Sequence, residues 1–246
     1  MIRHRSSNRF ASTLSLLLLL AAASSVGAAD LPLQAFTATY ELHKGKRFVA
    51  TTEIRLVRSG ERWHWNSLTQ ARGVYAWFTR KKPFHQTSFS QQHGRIRLHR
   101  IQLHDDRRKN PRETARFDWD QGRMEVSRKG KHKQARLDGE VYDYLSIHLL
   151  ASAMQLRGQQ RASIDFYRRG KLVESELRHL GRERVDIHDR TIEASLFEQR
   201  LAGSDTRIRY FYDPDNPLLP LRILTLQDDE KPATLTLRQV QRDDRD

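Results

Sequence analysis

The sequence predicts a mainly β protein: a single strongly curved antiparallel sheet, or open β-barrel, wrapped around one central α-helix. Three observations carry this. Short runs of alternating apolar and polar residues, each bounded by a Gly, Asp or Asn turn, recur along most of the chain. One stretch, Val141 to Leu156, has helical length and apolar residues on nearly every side. No repeat, low-complexity tract or Pro/Gly-rich linker interrupts the pattern, so residues 30–246 read as one β-rich domain.

Composition narrows the function. The 246 residues carry a formal charge of +14. A surface of this sign attracts phospholipid headgroups, lipopolysaccharide phosphates or other anionic polymers, or it is simply a basic, solvated surface. Cysteine is absent, which excludes disulfides, thiolate metal sites, a Cys nucleophile and a lipidated N-terminal Cys. The fold has to be held by its core.

Residues 1–29 read as a cleavable signal peptide. Arg3, Arg5 and Arg9 precede an apolar run from Leu14 to Ala23, and small residues follow, with cleavage after Ala28 or Ala29. Removing those three arginines takes the charge from +14 to +11. The expected location is the periplasm, in a protein that is not a lipoprotein, and export separates the basic surface from intracellular nucleic acid.

From Phe36 the alternation is clear. Phe36, Ala38, Tyr40 and Leu42 share one face, a turn follows at Lys44-Gly45-Lys46, and Phe48 to Leu56 return. After Ser59-Gly60, Trp63 and Trp65 share a strand face, as core or as an aromatic wall for an apolar ligand. Arg72 to Pro83 breaks the pattern and reads as a loop. It places Tyr75, Trp77 and Phe78 before Arg80, Lys81 and Lys82, a composition that suits a lipid-headgroup surface. Strands resume at Phe84 to Gln92 and Arg95 to His104, where the apolar phase slips between Leu98 and Ile101 and predicts a bulge near His99-Arg100. His93, His99 and His104 do not share a strand face, so no metal site is expected.

Ala115, Phe117 and Trp119 point inward before the turn at Gly122. The tract containing Arg128, Lys129 and Lys131 reads as a hairpin tip, either a solvated turn or an anion contact. The helix then spans Val141 to Leu156, with Glu140 in its first turn and Arg157-Gly158 closing it. Its polar residues form a thin stripe of His148, Ser152 and Gln155. Asp143 and Ser146 are read as helix-start hydrogen-bonding groups rather than chemistry. Strands return after Gly158, with turns at Arg169-Gly170 and His188-Asp189. Pro220 makes Leu221 to Leu226 an edge or late strand, and Ala233 to Val240 is the last.

Four motifs together resemble a known family. FDWDQG at Phe117 to Gly122, YDYLSIHLL at Tyr142 to Leu150, Gly181-Arg182-Glu183, and DPDNPLLPLRI at Asp213 to Ile223 look like the exported Gram-negative proteins of domain-of-unknown-function family 3108. The resemblance implies a periplasmic β-rich domain and carries no catalytic residues. By fold analogy it also implies similarity to the open, curled sheets of envelope lipoprotein carriers.

Two functions fit. One is a periplasmic carrier whose concave face holds an apolar or lipid-like, anionic ligand against Tyr40, Trp63, Trp65, Tyr75, Trp77, Phe78, Trp119 and Tyr144. Arg80, Lys81, Lys82, Arg128, Lys129 and Lys131 would contact its charge. The other is a structural or interaction module of the envelope, with the cavity filled by its own helix and contacts made to a protein or anionic polymer. Catalysis is not expected: there is no GxSxG elbow, HExxH or phosphate loop, and Ser146 and His148, two apart, do not share a helix face. No cofactor is expected.

Overall fold

The computed structural model describes residues 30–73, 75–78, 82–105, 110–228 and 230–242, with Trp77, Phe78 and Asp105 described by backbone alone. The expected signal peptide, Arg80 and Lys81 lie outside the described residues.

The first half of the chain is a meander. It runs through β1 (Phe36–Lys44), β2 (Arg47–Ser59), β3 (Arg62–Ala71), the one-turn helix α1 (Tyr75–Phe78), β4 (Pro83–Gln92), β5 (Arg95–Asp105), β6 (Glu113–Asp118), β7 (Arg123–Arg128) and β8 (Lys131–Arg136). A short strand β9 (Val141–Tyr142) and helix α2 (Ile147–Arg157) follow. The second half returns through β10 (Arg161–Arg168), β11 (Lys171–Ile187), β12 (Arg190–Leu201), β13 (Arg207–Asp213), β14 (Asn216–Leu226) and β15 (Ala233–Arg242).

All the strands belong to one sheet, ordered β8-β7-β6-β5-β4-β3-β2-β1-β15-β14-β13-β12-β11-β10-β9. β1 and β15 pair in its middle, Phe36 opposite Arg242 and Lys44 opposite Ala233. The chain therefore walks from the centre to one edge, crosses to the other edge, and walks back. The link from β8 to β9 makes that crossing, and α2 then joins β9 to its neighbour β10, so these two form the one parallel pair among the described residues, Val141 opposite Asp165 and Tyr142 opposite Phe166.

The sheet curls because its strands carry extra residues. The expected bulge lies at His99: Ser88 pairs Arg100 and Phe89 pairs Leu98, leaving His99 unmatched. Others fall at Thr39/Tyr40 and at His179/Gly181, where Gly181 takes φ +95°, a region that favours glycine. Of the edge or late strand expected after Pro220, the structure has the late one and not an edge. Pro220 sits inside β14, between β13 and β15, and the register breaks there, with Tyr212 opposite Pro220 and Phe211 opposite Arg222. A proline is tolerated in a central strand where a bulge has already interrupted the ladder.

The concave face holds one continuous core. Phe36, Ala38, Tyr40, Leu56, Trp65, Phe89, Leu98, Ile101 and Met124 from the first half meet Phe166, Leu177, Phe197 and Tyr212 from the second, around Ile147, Leu149, Leu150 and Met154 of α2. A smaller cluster of Val185, Ile187, Ala194, Leu196 and Phe211 lies apart from it. No helix among the described residues is long and apolar enough to cross a membrane.

The helix starts six residues later than expected. Val141 and Tyr142 are β9, and Asp143 to Ser146 form a turn. Its C-terminus matches: Gly158 adopts φ 64°, its N–H reaches Gln155 O at 3.3 Å, and Gln159 N reaches Met154 O at 2.9 Å. These two bonds satisfy carbonyls the helix would otherwise leave open. The segment read as a loop before the basic cluster contains α1.

Candidate functional site: a basic cleft at the seam of the sheet

The turn before α2 is built around Asp143. Its Oδ1 accepts hydrogen bonds from Leu145 N at 3.2 Å, Ser146 N at 2.8 Å and Ser146 Oγ at 2.6 Å, while Ser146 Oγ accepts Asp143 N at 2.8 Å. Its Oδ2 accepts His85 Nε2–H at 2.8 Å and the Thr87 hydroxyl. Burial raises the cost of its charge, but His85, by hydrogen bond and charge, and the Ser146 and Thr87 hydroxyls outweigh this and hold the carboxyl at about 2. The carboxylate separates Ser146 from His85, so the two do not form a nucleophile–base pair. Its work is to tie the β9–α2 turn to β4.

The polar stripe of α2 finds partners on β13, on β14 and in the turn between them. His148 Nδ1 lies 2.8 Å from Tyr212 Oη, Ser152 Oγ donates to Pro217 O at 2.7 Å, and Gln155 Nε2 donates to Pro214 O at 3.0 Å. The His148 ring sits among Trp65, Tyr210 and Tyr212, with centroids 5.7, 5.5 and 6.1 Å away. Burial pushes it down to about 4, with the Asp143 charge acting in the opposite direction, so the ring is neutral at pH 7. The helix end is tied as well, Arg157 donating to Gly94 O at 3.1 Å.

The two arms of the sheet meet through side chains. Tyr167 Oη of β10 donates to Glu113 Oε1 of β6 at 2.8 Å, and Tyr167 packs edge-on to Phe117 with centroids 6.4 Å apart. Gly170, at the β10–β11 turn, comes so close to β7 that a Cβ there would lie 2.9 Å from Arg128 Cδ. Glu113 is 6% exposed, and Arg128 Nε donates to its Oε2 at 2.6 Å. At this seam a cleft of about 460 Å³ opens, bordered by Phe84, His85, Leu103, Arg112, Glu113, Arg128 and Arg169.

The anticipated binding residues are not gathered in one place. Tyr40 and Trp65 are fully buried in the core, and Tyr40 Oη donates to Pro220 O at 2.9 Å. Trp63 is nearly buried, with Arg58 stacked 5.8 Å above its ring. Trp119 is half-buried and donates from Nε1 to Leu98 O at 2.7 Å. Tyr144 is 41% exposed, edge-on to Phe166 at 5.0 Å. Tyr75 is half-buried in α1, and the side chains of Trp77 and Phe78 lie outside the described residues. Of the anticipated cations among the described residues, Lys82 lies half-buried before β4, Lys129 is exposed in the β7–β8 turn, Lys131 is exposed on edge strand β8, and Arg128 alone borders the cleft. Lys129 N reaches Arg112 O at 3.3 Å, so that turn lies beside the cleft. Sequence reasoning missed His85, the adjacent Arg112 and Glu113, and Arg169, three places far apart in the chain that meet only when the sheet curls.

A family model described as "Protein of unknown function (DUF3108)" matches residues 36–237, from the first residue of β1 into β15. The chain belongs to the DUF3108 family. Among solved structures it is similar to a beta-barrel-like protein of domain of unknown function DUF1849 from Brucella abortus. The TM-score is 0.56 at 11% identity, over 87% of this chain and 100% of that one. That likeness shows a shared barrel-like fold. A Bacteroides fragilis protein with a YmcC-like fold aligns over 85% of this chain and 96% of its own, with a TM-score of 0.30 and 5% identity. No curated protein matches the sequence.

Proposed function

We propose that the protein is a non-catalytic binding module of the cell envelope, exported to the periplasm, whose interior is filled by its own helix and which meets an anionic envelope component from outside. One observation supports this above the others: the successive residues Ile147 to Met154 of α2 are all buried. A carrier that took an acyl chain into the concave face, against Tyr40 and Trp65, would have to lift α2 out. Exposing Ile147, Leu149, Leu150 and Met154 at about 1.5–3 kcal/mol each costs on the order of 10 kcal/mol, comparable to the whole stability of a domain.

Hydrogen exchange on α2 tests the reading. With a long-chain fatty acid added, the amides of Leu149 to Met154 are expected to keep the protection they have in its absence. Fatty-acid binding that strips this protection would instead support the carrier.

A further inference from the structure

This inference rests on the binding-module reading and names what the module takes. The seam cleft brings three arginines and apolar side chains to one cavity. Arg128 is held in place: its Nε donates to Glu113 Oε2 at 2.6 Å, and Tyr167 Oη holds the other carboxylate oxygen at 2.8 Å. That uses one of the five N–H donors of a guanidinium and leaves its terminal nitrogens for a second acceptor. Arg112 and Arg169 are exposed and, among the described residues, neither has a carboxylate partner. Among the described residues, three guanidiniums therefore border one cavity whose lining has one carboxylate, itself already bonded into the wall. Cations crowded in this way repel one another, and an anion placed between them relieves the repulsion.

An apolar side chain lies on the same side as the arginines. Leu103 of β5, half-buried, stands opposite Glu113, which in turn stands opposite Arg128, so the three share one face of the sheet at the cleft. A volume of about 460 Å³ falls within the roughly 300–1,000 Å³ of small-molecule sites. Planar guanidinium forks match a phosphate better than they match a lone carboxylate, since a phosphate offers oxygens to several forks at once.

We propose that the seam cleft binds a phosphate-bearing amphiphile, its phosphate between Arg112, Arg128 and Arg169 and its first apolar carbons against Leu103. A phosphorylated lipid and free phosphate share the headgroup chemistry, and the apolar Leu103 beside the arginines favours the lipid.

The test is titration calorimetry on the wild-type protein with monomeric octyl phosphate, inorganic phosphate and octyl glucoside. Octyl phosphate is expected to bind about tenfold or more tightly than either of the others. The double variant Arg112→Gln/Arg169→Gln should weaken octyl phosphate binding by about tenfold or more while leaving the circular dichroism spectrum and Tm unchanged, because both side chains are exposed and unpaired. The single variant Arg169→Glu, which adds a repelling charge, serves if the double variant misfolds, and the same loss is expected. Unchanged octyl phosphate affinity in these variants, or equal binding of octyl glucoside, overturns the proposal. Inorganic phosphate binding as tightly as octyl phosphate overturns the amphiphile assignment. Following α2 by hydrogen exchange in the same titration separates the two ideas: octyl phosphate that binds and unprotects α2 defeats the filled-interior reading, not the cleft.

Discussion

Five hydrogen bonds converge on the carboxylate of Asp143, three on Oδ1 and two on Oδ2. Asp143→Asn leaves His85 without its anionic partner and at least one inward donor unmatched, so a loss of about 3 kcal/mol is expected in urea denaturation at pH 7. A carboxyl held at about 2 when folded, against an ordinary 3.8, stabilises the fold above pH 3.8, and this contribution is lost as the pH falls through about 2. His148 acts in a higher window. Its folded value of about 4 lies below the ordinary 6.5, so below pH 6.5 the unfolded chain takes up a proton that the buried ring refuses. Stability is therefore complete above pH 6.5 and declines towards pH 4, by up to about 1.4 kcal/mol per pH unit. His148→Gln should be less stable at pH 7 but should show a flatter pH dependence between 6.5 and 4 than the wild type; an unchanged slope would mean another group titrates there. The helix-start role of Asp143 and Ser146 was legible from residue type and spacing. Their partners His85 and Thr87, 58 and 56 residues away, were not.

Among the elements, α2 shows what periodicity can and cannot locate. A helix buried on every side has no apolar phase, so nothing in its pattern marks where it begins. Val141 and Tyr142 look helical only by continuity, and pairing with Asp165 and Phe166 draws them into the sheet. Its end was legible because Gly158 supplies a left-handed residue, a local requirement that sequence displays directly. Gly158→Ala should cost about 1 kcal/mol, all of it backbone strain, since a Cβ there would meet nothing within 4 Å. Leu149→Ala, at a fully buried position of the same helix, should cost about 2–5 kcal/mol through lost packing and the cavity left behind. Parallel urea denaturation of the two variants checks the ordering, and equal losses would argue against α2 as a tightly packed plug. The hairpin turns were similarly local and legible. The place of Pro220 was not, because a bulge excuses a central proline only through its neighbours' register.

At the scale of the whole molecule, the meander could be read from successive turns, but two long-range contacts that shape the protein could not. One is the central β1–β15 pairing, which joins the two halves. The other is the seam, where Tyr167 meets Glu113 across 54 residues and brings Arg112, Arg128 and Arg169 to one cleft. Backbone ladders hold the centre, whereas side chains hold the seam, so the two should open with different free energies. Tyr167 is a secure donor: burial, with the bonded Glu113 carboxylate, pushes its phenol far above the usual range, so the hydroxyl stays protonated. Tyr167→Phe removes that donor and leaves the buried carboxylate with Arg128 as its remaining partner, at an expected cost of about 1–3 kcal/mol. If the seam is a separate cooperative unit, the loss appears as faster hydrogen exchange in β9, β10, β6 and β7, with β1 and β15 protected as before. An equal increase in every strand would instead make the sheet one indivisible unit, and the cleft would then open only when the whole protein unfolds.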